Sequence, residues 1–350
     1  MKKNLYIMLI AVFLVGSVYV VAEMLVPAGI GNKNFEIEVP KGATFKQAVE
    51  ILYDQKLIKD KSVFLFIGRL TGADRKIRAG YYSITGSQSP FDIFKMLKKG
   101  QIIEYEITIV EGDALGEIAE KLSEKGIIDK EDFMQLSSDK DFLSLYNIEA
   151  PSFEGYLFPD TYKIPKGMDP EDAIGMIINR MREKYSGALR ARADEFGLSE
   201  REVLTLSSII EKEARTDEER YLISAVYHNR LRKGMRLQAD PTAIYGIKSS
   251  REIITAKDIR TKTRYNTYFI KGLPPGPIAS PGIKSIIAAL YPADVPYLYF
   301  VSNDDGTHQF SITAEQHLAA VRSYREKRAR DTSGENKEET EEGAKRNGSS

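Results

Sequence analysis

The chain has 350 residues, enough for roughly two or three domains of ordinary size. Its 50 basic and 50 acidic residues leave no net charge, which argues against a protein that binds nucleic acid through a broad basic surface. It contains no cysteine, which excludes disulfides and thiolate chemistry. The three histidines, His228, His308 and His317, fall in no metal-ligand spacing, so neither a metal nor a cofactor is expected.

The N-terminus begins with two lysines, which are followed by a long apolar segment. Lys2 and Lys3 precede a run from Leu5 to Ala22 without a charged residue, long enough to span a membrane as a helix. Because flanking lysines stay in the cytoplasm, the rest of the chain is expected on the extracytoplasmic, or periplasmic, side. The alternative is a cleaved signal peptide, although the run is longer than a usual signal core. We predict a cytoplasmic tip and a single-pass anchor in the inner (cell) membrane for residues 1–28.

The next region, residues 34–150, contains an internal repeat. Ile37-Glu-Val-Pro-Lys-Gly42 is echoed by Ile107-Thr-Ile-Val-Glu-Gly112, and apolar residues follow each glycine at helical spacing. Each copy predicts a strand, a glycine turn, a helix and a second short helix. Asp113 is predicted to cap the first helix of the second copy. On these residues alone, a binding module and a plain spacer between the membrane and an active domain fit equally well.

A second region, residues 151–325, has the pattern of an α+β domain. Helices are predicted at about 170–185, 188–196, 199–215 and 218–233. Residues 238–282 are rich in glycine and proline, and two strands then flank the hairpin turn Asn303-Asp-Asp-Gly306. Residues 326–350 cannot bury apolar area and are predicted to be disordered. The expected fold class is α+β, with one membrane helix, small α/β repeats and a larger domain that ends in a β-hairpin.

Polar and aromatic residues concentrate in three loops and one helix of the second region. Ordered loops so rich in glycine and proline are costly unless they serve a site. The mixture suits a sugar, because aromatic faces stack on pyranose rings while amides and hydroxyls bond to the sugar's polar groups. The segments are Glu154-Gly-Tyr-Leu-Phe-Pro-Asp-Thr-Tyr162, Ser207-Ser-Ile-Ile-Glu-Lys-Glu-Ala214, Arg236-Leu-Gln-Ala-Asp-Pro-Thr-Ala-Ile-Tyr-Gly246 and Tyr265-Asn-Thr-Tyr-Phe-Ile-Lys-Gly-Leu-Pro-Pro-Gly-Pro-Ile-Ala-Ser-Pro-Gly282.

The helix among these segments carries two glutamates at the borders of its apolar stripe. Glu211 lies beside Ser207 and Ser208, whereas Glu213 lies at the opposite border. The small serines are expected to leave room for a ligand to approach Glu211. An ordinary solvated helix face would explain both glutamates as well, and periodicity alone does not choose between them.

Together these segments resemble the endolytic murein transglycosylase family, the MltG or YceG-like group, over nearly the whole chain to about Arg325. The motifs are EGYLFPDTY, SSIIEKEA, RLQADPTAIYG, YNTYFIKGLPPGPIASPG and YLYFVSNDDGTHQF. The resemblance implies that Glu211, the first glutamate of the IEKE motif, is catalytic. It also favours a LysM-like, peptidoglycan-binding reading of the repeat. The implied substrate-binding residues are Glu154, Tyr156, Asp160, Ser207, Gln238, Asp240, Tyr245, Asn266, Thr267, Tyr268, Ser302 and Asn303.

The resemblance also implies a reaction, cleavage of the β-1,4 bond between N-acetylmuramic acid and N-acetylglucosamine without water. Glu211 would protonate the leaving oxygen and then take the proton of the muramyl C6 hydroxyl, which closes on C1. Asp160 or Asp240 would assist electrostatically. The implied partners are peptidoglycan glycan strands, the membrane and cell-wall synthesis enzymes, and not nucleic acid.

Two alternatives stay open on the sequence. A hydrolase would use Glu211 with Asp240 as the second acid, because ordinary glycosidases work with a pair of carboxyl groups. A non-enzymatic anchor would only bind peptidoglycan and would need neither group.

Overall fold

The structure, a computed structural model, describes residues 2–29, 31–73, 77–248 and 254–328 and contains both helices and strands, as predicted. The predicted tail, 326–350, lies outside the described residues except for 326–328. The strands are β1 (Asn34–Val39), β2 (Gly80–Thr85), β3 (Glu104–Thr108), β4 (Thr161–Pro165), β5 (Tyr299–Ser302) and β6 (His308–Ser311). The helices are α1 (Lys2–Leu25), α2 (Phe45–Asp54), α3 (Lys61–Thr71), α4 (Pro90–Lys99), α5 (Leu115–Glu124), α6 (Lys130–Ser137), α7 (Lys140–Leu145), α8 (Pro170–Lys184), α9 (Gly187–Phe196), α10 (Glu200–Glu213), α11 (Asp217–Arg232), α12 (Asp240–Ile244), α13 (Ala256–Arg260) and α14 (Ile283–Leu290).

The chain divides into two compact units, and the division differs from the predicted boundary at residue 150. The first unit comprises residues 1–107 and 162–169, and the second comprises 108–161 and 170–350. The second copy of the repeat therefore belongs largely to the unit that contains Glu211. Aromatic packing explains this, because the Phe153 ring meets Phe133 of the second copy and Phe142 of α7 edge to face, at 5.4 and 5.9 Å.

In the first unit, α1 is long and apolar enough to cross a membrane, with a mean hydropathy of 2.5. That length and composition fit an anchor and equally a signal sequence. Its last turn joins the unit's core, since Met24 is only 6% exposed and shares an apolar cluster with α2, α3 and α4. β1 and β2 pair antiparallel, with Ile37 opposite Tyr82, and both side chains face that cluster.

The internal repeat is confirmed by the backbone at its two glycines. Gly42 and Gly112 have φ angles of 82° and 85°, so both turns use the left-handed conformation that glycine adopts without strain. Both copies continue into two helices, as predicted. The prediction that Asp113 caps α5 is wrong, because Asp113 accepts a hydrogen bond from Val110 N at 2.9 Å and pairs with Lys121. Ala114 is the N-cap residue instead.

The second unit is built around α10, whose residues from Val203 to Ile210 are all buried. A helix that is buried on every side belongs to the core of its domain. The four predicted helices are confirmed to within the usual uncertainty of helix ends. The predicted hairpin is also confirmed, with β5 and β6 paired antiparallel. It is tied to α11 by His308, whose Nδ1 lies 2.7 Å from Oε2 of Glu219.

Candidate active site

Glu211 lies in the last turn of α10, where the helix meets the repeat turn at Gly112 and the loop before α14. The helix begins with a capping box, in which the Ser199 backbone N–H donates to the Glu202 carboxylate at 2.9 Å. The sequence predicts this cap, and it fixes where the helix starts. Because α10 is buried for most of its length, the direction of each later side chain is set by the core.

Both oxygens of the Glu211 carboxyl group have partners. Arg220 Nη2 donates to Oε1 at 3.0 Å, and the Gly282 backbone N–H donates to Oε2 at 2.9 Å. The Glu211 side chain is 5% exposed and that of Arg220 is 9% exposed. A buried carboxylate needs such partners, since an unpaired buried charge is strongly destabilising. Cation and amide together fix the orientation of the carboxyl group.

The turn of the second repeat copy lies beside this carboxyl group. The Gly112 backbone N–H donates to Ser280 O at 2.8 Å, and the Ser280 N–H donates to Asp113 O at 2.8 Å. Lys212, next to Glu211 in sequence, donates from Nζ to Gly112 O at 3.1 Å. The repeat turn, the end of α10 and the loop before α14 are therefore joined by hydrogen bonds.

Glu111 is a second carboxyl group at this place. Its carboxyl group lies against Gly282, so closely that a methyl group added there would overlap Oε1 of Glu111. Partial withdrawal from water raises the pKa of Glu111, and the negative charge of Glu211 raises that pKa further. Arg220 and Lys284 oppose this rise. The site thus holds two neighbouring carboxyl groups from distant parts of the chain.

Asp240, the second acid of the hydrolase alternative, belongs to a different cluster. It accepts a hydrogen bond from the Tyr268 hydroxyl at 2.5 Å and lies beside Glu213. Burial and then the Asp240 charge raise the pKa of Glu213 to about 7, and the Tyr227 hydroxyl donates to Glu213 at 3.1 Å. Since Glu211 and Glu213 point about 200° apart around the helix, this arrangement does not favour a pairing of Asp240 with Glu211.

Glu154 and Tyr245 join two of the sequence motifs. Glu154 is 2% exposed, and its Oε2 accepts hydrogen bonds from the Tyr245 hydroxyl at 2.9 Å and from Leu115 N at 3.1 Å. Burial raises the pKa of Glu154 to about 7. The Tyr265 ring lies 4.6 Å from that of Tyr245. This polar cluster is internal, and it ties α5 to the loops of the second unit.

Several predicted binding residues hold the loops together. Asn266 donates to Ile259 O and Thr261 O at 3.0 and 2.7 Å, and Thr267 Oγ1 accepts from Ala239 N at 2.9 Å. Tyr156, Ser207, Asn266 and Thr267 are all buried. In this conformation they position the loops and present no open surface to a ligand.

The expectation that serines leave room beside Glu211 is wrong. Ser207 and Ser208 are fully buried, and Ser207 Oγ donates to Val203 O at 2.6 Å. Ser208 Oγ accepts a hydrogen bond from Ile278 N at 3.0 Å. Small residues are needed here because the loop that leads to Gly282 packs directly on the helix.

The remaining predicted binding residues lie at or near the surface. Asp160 pairs with Arg180 at 2.8 Å, and its pKa is lowered, first by the Thr161 backbone N–H and then by Arg180. Gln238 is exposed in a left-handed conformation. Ser302 and Asn303 shape the hairpin turn, where Ser302 Oγ accepts from Asp304 N and Asn303 donates to Thr307. Their role in binding stays a prediction.

Two groups of the Glu211 site were missed by the sequence reasoning, Arg220 and Glu111. Arg220 gives no local signal, because it lies on the next helix among many charged residues. Glu111 gives a weak signal in the sequence. In the alignment of the two repeat copies it occupies the place of Lys41, so the charge at the turn is reversed.

Comparison with known proteins decides the family. The sequence model of the YceG-like family matches residues 37–323. The chain belongs to the YceG-like family. An endolytic murein transglycosylase of Bacillus subtilis is 30% identical over 306 residues, which is 82% of this chain and 84% of the relative. Endolytic murein transglycosylases of two Streptococcus pneumoniae strains are 28% identical over 333 residues, covering 85% of this chain and 60% of theirs.

A solved structure agrees with this assignment. The crystal structure of a yceG-like protein from Listeria monocytogenes matches with a TM-score of 0.57 and 32% identity, over 83% of this chain and 100% of that one. The chain is accordingly an enzyme of the lytic transglycosylase class.

Proposed function

We propose that this YceG-like chain cleaves the β-1,4 bond between N-acetylmuramic acid and N-acetylglucosamine in peptidoglycan strands, leaving 1,6-anhydromuramyl ends. The observation that carries the proposal is the setting of Glu211. Its carboxyl group stands at the end of a core helix, oriented by Arg220 and the Gly282 N–H. General acid catalysis depends on a carboxyl group that is held in a fixed position within reach of the leaving oxygen.

Arg220 and the Gly282 N–H, which donate to Glu211, can stabilise the negative charge that its carboxyl group gains during the reaction. Glu211 gives its proton to the glycosidic oxygen as the C1–O bond breaks, which leaves a carboxylate that Arg220 and Gly282 stabilise. The carboxylate then accepts the proton of the muramyl C6 hydroxyl while that oxygen bonds to C1. One proton is given and one is returned, and no water is consumed. The internal hydroxyl takes the place of the water that a hydrolase would activate.

Two further parts of the chain support a role at the cell wall. We assign residues 34–150 as a LysM-like region that holds glycan strands, because both copies follow the order of strand, glycine turn and two helices. We assign α1 as a single-pass anchor with Lys2 and Lys3 in the cytoplasm. The enzyme would then act close to the membrane, where new strands emerge and where cell-wall synthesis enzymes work.

Membrane attachment has a direct test. The full chain should sediment with membranes and resist extraction by high salt, whereas a chain that starts at residue 27 should be soluble. A shortened mature chain in cells would favour the signal peptide instead.

The reaction is tested by digesting purified peptidoglycan and identifying the ends by mass spectrometry. Wild type should release anhydromuramyl ends, and Glu211→Gln should lower the rate by about 10²- to 10⁴-fold, the usual contribution of general acid catalysis. Glu195→Gln, an exposed glutamate on α9, is the matched control and should behave as wild type. Full activity in Glu211→Gln would contradict the proposal.

A hydrolase is the second candidate, and one observation favours it. Glu111 is a second carboxyl group whose pKa is raised by the charge of Glu211, and ordinary glycosidases use two carboxyl groups. The products separate the two reactions, since a hydrolase leaves reducing muramyl ends and incorporates ¹⁸O from labelled water. A transglycosylase does neither.

A further inference from the structure

The setting of Glu211 poses a problem for the proposed reaction, on which this inference rests. Arg220 and the Gly282 N–H both stabilise the ionised form of the Glu211 carboxyl group. General acid catalysis needs the protonated form at the start of each turnover. Some neighbouring group must therefore favour retention of a proton at the site.

Glu111 has the geometry for this task. Gly282 contacts both carboxyl groups, because its N–H binds Glu211 while its Cα lies against Oε1 of Glu111. The Glu111 residue itself is exposed, so this carboxyl group lies at the solvent side of the buried Glu211 side chain. Two carboxyl groups that both lie against one residue do not readily ionise at once, and the charge of Glu211 raises the pKa of Glu111.

The charged groups around Glu111 include two of each sign. Glu111 faces the negative charges of Glu211 and Asp217 and the positive charges of Arg220 and Lys284. Lys284 pairs with Asp217. Two more lysines bind the repeat turn, Lys121 of α5 through Asp113 and Lys212 at the end of α10 through the Gly112 carbonyl.

Arg220 supplies a second, independent sign that a ligand binds here. Within the described part of the chain, its Nη1 and Nε make no hydrogen bond, although the side chain is only 9% exposed. Nε has only Asp217 nearby, at 3.8 Å. A buried guanidinium with free donors is costly unless an oxygen atom occupies that place. A sugar hydroxyl or acetamido oxygen beside the two carboxyl groups would satisfy it.

We propose that Glu111 is a positioning residue for the catalytic proton, which it shares with Glu211 so that the pair carries one proton between them. The proton passes from the pair to the glycosidic oxygen as the C1–O bond breaks and its electrons stay on that oxygen. The C6 hydroxyl proton returns to the pair as O6 bonds to C1. Glu111 acts through Glu211, by making the loss of the shared proton harder.

The internal repeat suggests a graded test of this charge effect. The first copy has Lys41 where the second has Glu111, so Glu111→Gln and Glu111→Lys replace a negative charge by none and then by a positive one. Each step should make the loss of the shared proton easier. The basic limb of the pH profile should therefore move to lower pH from Glu111 to Gln to Lys, while Glu111→Asp should stay near wild type.

The experiment measures kcat/KM for release of anhydromuramyl ends by the full chain in detergent, across the pH range. For Glu111→Gln we expect the basic limb of the pH profile to move down by about one pH unit. At a pH above this limb the variant should then have about tenfold lower activity than wild type, and its activity should recover at acidic pH. Glu106→Gln, an exposed glutamate on β3, is the control. A Glu111→Gln pH profile that keeps the wild-type midpoint would overturn the proposal, whatever its maximal kcat/KM.

A second measurement needs neither activity nor a folded Glu111 variant. In wild type labelled with ¹³C at glutamate carboxyl carbons, the Glu111 resonance should titrate above its ordinary range, and Glu211→Gln should lower that midpoint. No change in Glu211→Gln would also overturn the proposal. Failure of the proposed reaction is distinguishable, because it would alter the ends that wild type releases without altering this titration.

Discussion

The Tyr245 hydroxyl donates a hydrogen bond of 2.9 Å to Oε2 of Glu154, across 91 residues of sequence. Leu115 N donates to the same oxygen, so one carboxyl group joins two motifs to the first turn of α5. The other oxygen, Oε1, is buried and finds no hydrogen-bond partner among the described residues. A carboxyl group in this setting keeps its proton to a higher pH than an ordinary one.

This carboxyl group should make stability depend on pH. The pKa of Glu154 is about 7 in the folded chain against 4.5 ordinarily, so the folded state holds the proton more tightly. The free energy of unfolding should therefore fall as the pH rises from 4.5 to about 7, by about 1.4 kcal/mol for each unit of pKa difference. Glu213 contributes in the same direction and window.

Glu154→Gln should flatten this dependence, because its amide resembles the protonated acid. Urea unfolding at several pH values measures the pH dependence of the free energy of unfolding. The variant should be more stable than wild type above pH 7 and should show no gain in stability at about pH 4. Adding Glu213→Gln should flatten the curve further. Parallel curves for wild type and Glu154→Gln would contradict the prediction.

The ion pair between Arg220 and Glu211 should matter for both folding and activity. Arg220→Met leaves a buried carboxylate without its cation, which costs about 3–5 kcal/mol of stability. Arg220→Lys retains the charge but not the forked geometry, so it should lose less stability and still lose activity. Thermal melting and end release measure the two effects. Equal behaviour of both variants and wild type would show that the pair is unimportant.

A methyl group added at Gly282 should displace the Glu111 carboxyl group. Its φ of −73° suits any residue, so Gly282→Ala adds no backbone strain, and only the flexible Glu111 carboxyl group must move. We expect nearly unchanged melting and a pH profile shifted like that of Glu111→Gln. Gly116→Ala on α5 is the matched control, because nothing lies within 4 Å of the added methyl group. That control should gain about 0.5–1 kcal/mol of stability and keep full activity.

The hydroxyl of Thr267 should stabilise the loops without taking part in the reaction. It accepts from Ala239 N at 2.9 Å and lies 2.8 Å from Thr242 Oγ1, all in the buried interior. Thr267→Val leaves the Ala239 N–H unsatisfied, which costs about 1–3 kcal/mol. Unfolding in urea measures this loss. An unchanged midpoint for unfolding would contradict the prediction, and a loss of kcat/KM in a stable variant would favour a direct role with the substrate.

Much of the local structure follows from the sequence alone. The capping box of Ser199, the turn from Asn303 to Gly306 and the repeated glycines each depend on residues close together in the chain. Helix and hairpin positions are therefore readable from spacing. The IEKE motif indicates Glu211 by family resemblance, although helix periodicity leaves Glu211 and Glu213 equivalent.

The composition of the site depends on tertiary structure. Glu111, Arg220 and Gly282 come from a repeat turn, a second helix and a loop, and no spacing in the sequence links them. Only the packing of those elements around the buried α10 brings their charges and donors to the Glu211 carboxyl group. The same packing places Asp240 beside Glu213 instead. The sequence thus indicated which residue is the candidate acid, and the folded chain decided which charged groups and hydrogen-bond donors surround its carboxyl group, because electrostatic interactions act through space rather than along the chain.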